Sequence, residues 1–97
     1  MKVVFRDKRL ELIWTEKAHE LGLSFAVIKR AREKLHFLAE APDERTLRNW
    51  KSLNYKIREG SNDQRQIRIN DQFRIIFTIN NDVTPPVITI LEIGDPH

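Results

Sequence analysis

Apolar residues follow two rhythms along this chain, a helical one in the first half and an alternating one in the last third. "KVVFR" opens as a short β-branched and aromatic strand. Asp7 then caps a helix in which Leu10, Ile13, Trp14, Ala18 and Leu21 recur every three or four positions until Gly22 ends it. Ser24 caps a second helix, with Ile28, Ala31, Leu35 and Leu38 in one stripe and Lys29, Arg30, Arg32 and Glu33 outside it. The short link "GLS" predicts an antiparallel helix pair. Pro42 interrupts the pattern, and "DERTLRNW" predicts one more short turn of helix ending near Trp50. In "KSLNYKIREGSNDQ" no period is clean; with the turn formers Gly60, Ser61, Asn62 and Asp63, it reads as a long loop or an irregular strand with a turn.

The last third changes character. "RQIRI" alternates, "NDQ" is a tight turn, "FRIIFTI" is strongly β-prone, "NNDVTPP" turns again, and "VITILEI" closes a three-stranded antiparallel meander. The expected fold is therefore α+β: two N-terminal helices packed on one face of a four- to five-stranded, mainly antiparallel sheet, in a single domain spanning residues 1–97. Alternation puts Ile67 and Ile69 on one face of their strand and Arg68 on the other. Arg74 is expected to look the same way as Arg68 across the hairpin. If the preceding loop folds over that face, Tyr55, Lys56 and Arg58 join them.

Composition narrows the function classes. A chain of 97 residues with 40% hydrophobic content can bury roughly 60–65% of its unfolded surface, enough for one core. With no cysteine, neither disulfides nor thiolate metal sites are available. The start "MKVVFRDKRLEL" is too charged for a signal peptide and no apolar run approaches the roughly 20 residues of a membrane span, so a soluble, cytoplasmic protein is expected. The net charge of +3 is modest, but its distribution is uneven. Residues 51–74 carry six basic against three acidic side chains, whereas 75–97 carry none against three. The basic middle of the chain favours a polyanionic partner.

No glycine-rich phosphate loop or serine-nucleophile motif is present, and His19, His36 and His97 show no metal-ligand spacing. No metal or other cofactor is expected. Taken singly, the remaining candidates have plain readings: solvated arginines on a sheet, a packing tyrosine at 55, a frayed terminal histidine.

Their joint pattern is more specific. The run "IRINDQFRIIF" from Ile67 to Phe77, followed by a final strand closing in Asp95, Pro96 and His97, resembles the HigB branch of the RelE/ParE superfamily of bacterial toxins. The order of an opening strand, amphipathic helices and a basic loop resembles that family more faintly over the whole length. The resemblance implies a ribosome-dependent messenger-RNA endonuclease that cuts codons in the ribosomal A site. It also implies a cognate HigA-like helix-turn-helix antitoxin that neutralises the toxin and carries the complex to operator DNA. The implied chemistry is metal-free attack of a ribose 2′-hydroxyl on its own phosphodiester.

By resemblance, Arg74 takes the scissile phosphate, for which a guanidinium offers a two-pronged fit. His97 is the general acid or base, with an ordinary imidazole pKa of about 6.5. Arg58 holds a phosphate, and Lys56 and Arg68 contact the RNA or ribosome backbone. Tyr55 stands where many relatives have histidine, so its role there is either catalysis with a lowered pKa or stacking. Pro96 stands where relatives have tyrosine. Two other classes remain open: a ParE-like inhibitor of DNA gyrase, and a catalytically weak RNA- or ribosome-binding relative.

Overall fold

The computed structural model describes residues 1–60 and 63–96. Five strands form one sheet: β1 (Lys2–Phe5), β2 (Lys56–Ile57), β3 (Arg65–Arg68), β4 (Arg74–Asn80) and β5 (Val87–Gly94), in the order β1-β5-β4-β3-β2. The expectation of a mainly antiparallel sheet is corrected to a mixed one. β2, β3, β4 and β5 form an antiparallel series, but β1 lies parallel to β5, with Lys2 beside Val87 and Phe5 beside Ile90. Local alternation predicts strands but carries no information about which distant edge the first strand joins.

The N-terminal helix pair also needs correction. One long helix is present, α1 (Phe25–Glu40), with a short α2 (Glu44–Asn49) after it. The first predicted helix is instead two tight 3₁₀ segments, Lys8–Trp14 and Ala18–Leu21. Thr15 is the reason: its N–H and its hydroxyl both donate to the Leu12 carbonyl, and the hydroxyl accepts from Lys17 N–H at 3.1 Å. A threonine that bonds its own backbone in this way offers the chain an alternative to the α-helical ladder. Arg32 of α1 then donates to the carbonyls of Ile13 and Thr15 at 2.6 and 2.9 Å, fixing the broken segment to the helix.

Other local signals work as expected. The Ser24 hydroxyl accepts from Val27 N–H at 3.3 Å and starts α1. The Asp43 carboxylate accepts from Thr46 N–H at 2.9 Å and starts α2 after Pro42. Gly22 closes the second 3₁₀ segment with φ +77°, a left-handed conformation that other residues rarely adopt.

Helices and sheet share one apolar layer. Ile28, Ala31, Leu35 and Leu38 of α1 are buried against the sheet rows Ile67–Ile75–Ile93 and Phe77–Ile90–Phe5. Ile90 and Ile93 are three residues apart, so plain alternation would put them on opposite faces. A bulge solves this: the register passes from Ile76 beside Glu92 to Phe77 beside Ile90, leaving Leu91 as the extra residue. The other face of the sheet carries no helix residue in its rows. On it lie Lys56, Gln66, Ile76 and Glu92 in one cross-strand row, and Arg68, Arg74 and Gly94 in the next. No helix among the described residues is long and apolar enough to cross a membrane.

Candidate functional site

The turn between β3 and β4, Asn70 to Gln72, organises the face that carries Arg68 and Arg74. Asn70 closes the turn on itself: its side-chain oxygen accepts from Gln72 N–H at 2.9 Å and Phe73 N–H at 2.7 Å. Asp71 forms an ion pair with Arg68. The Gln72 amide donates to the Asp95 carboxylate at 3.0 Å and ties the segment after β5 to this turn. Arg74 donates to the carbonyls of Asn70, of Phe73 at 3.0 Å and of Asp71 at 3.4 Å. Each residue of "NDQF" thus contributes a bond that shapes the turn or what leans on it.

Arg68 and Arg74 are direct cross-strand partners, and like charges so placed repel. Asp71 relieves Arg68, while the three carbonyls hold Arg74 through neutral dipoles and no carboxylate among the described residues pairs with it. Those carbonyls engage the two terminal nitrogens. The Arg74 Nε–H, one of five guanidinium donors, has no partner among the described residues.

Beside Arg74 opens a cleft of about 500 Å³. Lys56 and Arg58 enter it from β2 and the residue after it, Gln66 from β3, Arg74 from β4, and Pro96 from the end of the chain. Ile57 and Glu59 complete the lining. The Arg58 position is set by a short hairpin closure, with its N–H on the Gln64 carbonyl at 3.0 Å and its Nη1 on the Gln64 side chain at 3.3 Å. Among the described lining residues, three cations against one carboxylate make the cleft electropositive, a field that collects phosphate-bearing ligands.

No family model, curated protein or solved structure matches the chain.

Three of the six residues expected at a site, Lys56, Arg58 and Arg74, therefore line one cleft. Arg68 shares the face but turns toward Asp71. His97 lies outside the described residues. The expected place of Tyr55 beside these cations is corrected: it precedes β2 and packs against the core, 6.4 Å between ring centres from the buried Phe77. There its hydroxyl donates to the Glu44 carboxylate of α2. Arg65 Nε reaches the same carboxylate oxygen at 3.1 Å and the tyrosine oxygen at 3.2 Å, while Arg48 approaches at 3.4 Å and stands over the Tyr55 ring.

Burial pushes the Tyr55 phenol above its usual range, and the hydrogen bond to Glu44 adds to that. A tyrosine so placed is a poorer base than a free one. Burial also opposes charge on Glu44, but the bonds from Tyr55 and Arg65 and the charges of Arg65 and Arg48 outweigh it, and its carboxyl is held below the ordinary range. The network pins the β2 and β3 edge of the sheet to α2.

Glu59 and Gln66 are the residues that sequence reasoning passed over. Glu59 is the carboxylate of the cleft, and Gln66 lies in its floor beside Ile76. Polar residues alternating along a strand read as solvated, so only the pairing of β2 onto β3 signals that Gln66 is covered.

Proposed function

We propose that this chain is the toxin of a type II toxin-antitoxin pair, with a RelE-like fold, acting as a ribosome-dependent messenger-RNA endonuclease of the HigB kind. The observation that carries the reading is the convergence of Lys56, Arg58 and Arg74 on one cleft, with Pro96, the neighbour of His97 in sequence, at its wall. The motif that suggested the family supplies Arg74 to this cleft.

The reaction joins a ribose 2′-oxygen to the adjacent phosphorus and releases the 5′-oxygen of the next nucleotide. One proton leaves the attacking hydroxyl and one arrives on the leaving oxygen. Arg74, held by three carbonyls and paired with no carboxylate among the described residues, stabilises the charge that grows on the phosphoryl oxygens. Its rigidity matters because preorganised charge need not rearrange as the transition state forms. Arg58 and Lys56 hold the flanking phosphates. His97 and Glu59 are the two proton carriers of the scheme. A helix-turn-helix antitoxin of the HigA kind neutralises the toxin and brings the complex to operator DNA.

Primer extension on messenger RNA after induction tests this, with purified ribosomes programmed with the same message alongside. Cuts within codons, seen only with ribosomes, are expected. Intact RNA with stalled gyrase would favour the gyrase-inhibitor class instead. A second reading, an RNA- and ribosome-binding relative with little cleavage, is favoured by the withdrawal of Tyr55 into the Glu44 network. Ribosome binding without any cut in the same experiment would select it.

A further inference from the structure

Gln66 is 9% exposed and is the buried polar side chain among the described residues. Buried polar groups in native proteins are nearly always hydrogen-bonded, to protein or to water. The Gln66 amide takes no hydrogen bond from any described residue, whereas its neighbours Gln64 and Asp95 are both engaged. No fully enclosed side-chain polar atom lacks a partner among the described residues. The unpaired amide therefore reaches the surface of the cleft that it lines.

We propose that Gln66 is the specificity-determining residue of the cleft and reads the edge of one unpaired RNA base whose phosphates lie on Arg58 and Arg74. The inference rests on the reading of the cleft as an RNA site. A carboxamide presents one acceptor and one donor side by side. That pair complements a base edge on which a donor lies next to an acceptor, as on the exposed edges of single-stranded RNA. Ile57, 48% exposed, gives the cleft apolar surface for the flat face of a base. The cations cannot supply this discrimination, since phosphate is common to every nucleotide.

The probes are the four ribonucleoside 3′,5′-bisphosphates of A, C, G and U, each one base between two phosphates, titrated into the full ¹⁵N-labelled chain. The wild type is expected to separate its best base from its worst by about 5- to 150-fold, the worth of one good two-bond base contact. The Gln66 side-chain amide resonance should move with the preferred base. Gln66→Leu should bring all four to within about twofold of one another, because only phosphate contacts remain. Its melting temperature should not fall, since no internal bond is lost. Gln66→Glu, which offers acceptors alone, should move the preference toward guanosine, whose N1–H and N2–H are adjacent donors, and it carries the test if the leucine variant does not fold. Arg74→Ala should weaken all four equally and keep the order of preference. Equal binding of the four by the wild type, or a preference that survives Gln66→Leu, overturns the inference and leaves the RNA reading standing. Binding of none of the four overturns both.

Discussion

The two faces of the sheet are built from the same strands and do opposite things with charge. On the covered face, Glu44, Tyr55, Arg65 and Arg48 join carboxylate to guanidinium and phenol, so the network is nearly self-sufficient. On the open face, Arg74, Arg58 and Lys56 stand around a cleft with Glu59 as their carboxylate, and Arg74 is held by carbonyls. Satisfied charge next to a core fastens elements together. Unsatisfied charge on a rigid turn waits for an anion from outside.

This contrast can be broken from either side. The largest effect is expected in the layer that divides the faces. Phe77→Ala should destabilise the fold by about 3–5 kcal/mol, because a fully buried aromatic ring is removed, and urea unfolding would show it. Arg74→Lys should keep the fold and lower ribosome-dependent cleavage about 10²- to 10³-fold, by loss of a preorganised donor for the developing charge. Single-turnover cleavage rates, read beside a thermal melt, separate the two outcomes.

Glu44→Gln should destabilise by about 1.5–3 kcal/mol, the worth of hydrogen bonds to a charged group, and leave the cleft chemistry in place. It should also change the acid limb of stability. The folded-state pKa of Glu44 lies below its unfolded value, so its contribution is present above the unfolded pKa and is lost as pH falls through the folded one. Melts in the acid range should therefore fall less steeply for Glu44→Gln than for wild type. The smallest effect belongs to Lys56→Ala, an exposed cation of the cleft. It should change stability by less than about 0.5 kcal/mol and reduce the salt dependence of RNA binding by less than about one unit of slope. An unaltered slope in a salt titration would remove Lys56 from the phosphate contacts.

Where a residue's role depends on its neighbours in sequence, the chain announces it plainly. The stripe from Ile28 to Leu38, the Ser24 cap, the "NDQ" turn and the shared face of Arg68 and Arg74 all follow from local spacing. Pairings between distant segments are silent in that language. The parallel seat of β1 beside β5, the break at Thr15 and the orientation of Tyr55 each depend on partners 11 or more residues away or on a side chain bonding its own backbone. The cleft shows the same division. Arg74 stands out because it lies in the motif and Arg58 because it lies in the basic loop, whereas Gln66 reads as an ordinary solvated residue until β2 pairs with β3.

The open face as an RNA-cleaving surface is tested most directly by the end groups left on a message cut on purified ribosomes. The wild type should cut within the A-site codon and leave a 2′,3′-cyclic phosphate facing a 5′-hydroxyl, and the triple variant Lys56→Ala, Arg58→Ala, Arg74→Ala should leave the message whole. Intact message with the wild type, or the same cuts at the same rate with the triple variant, would contradict the account.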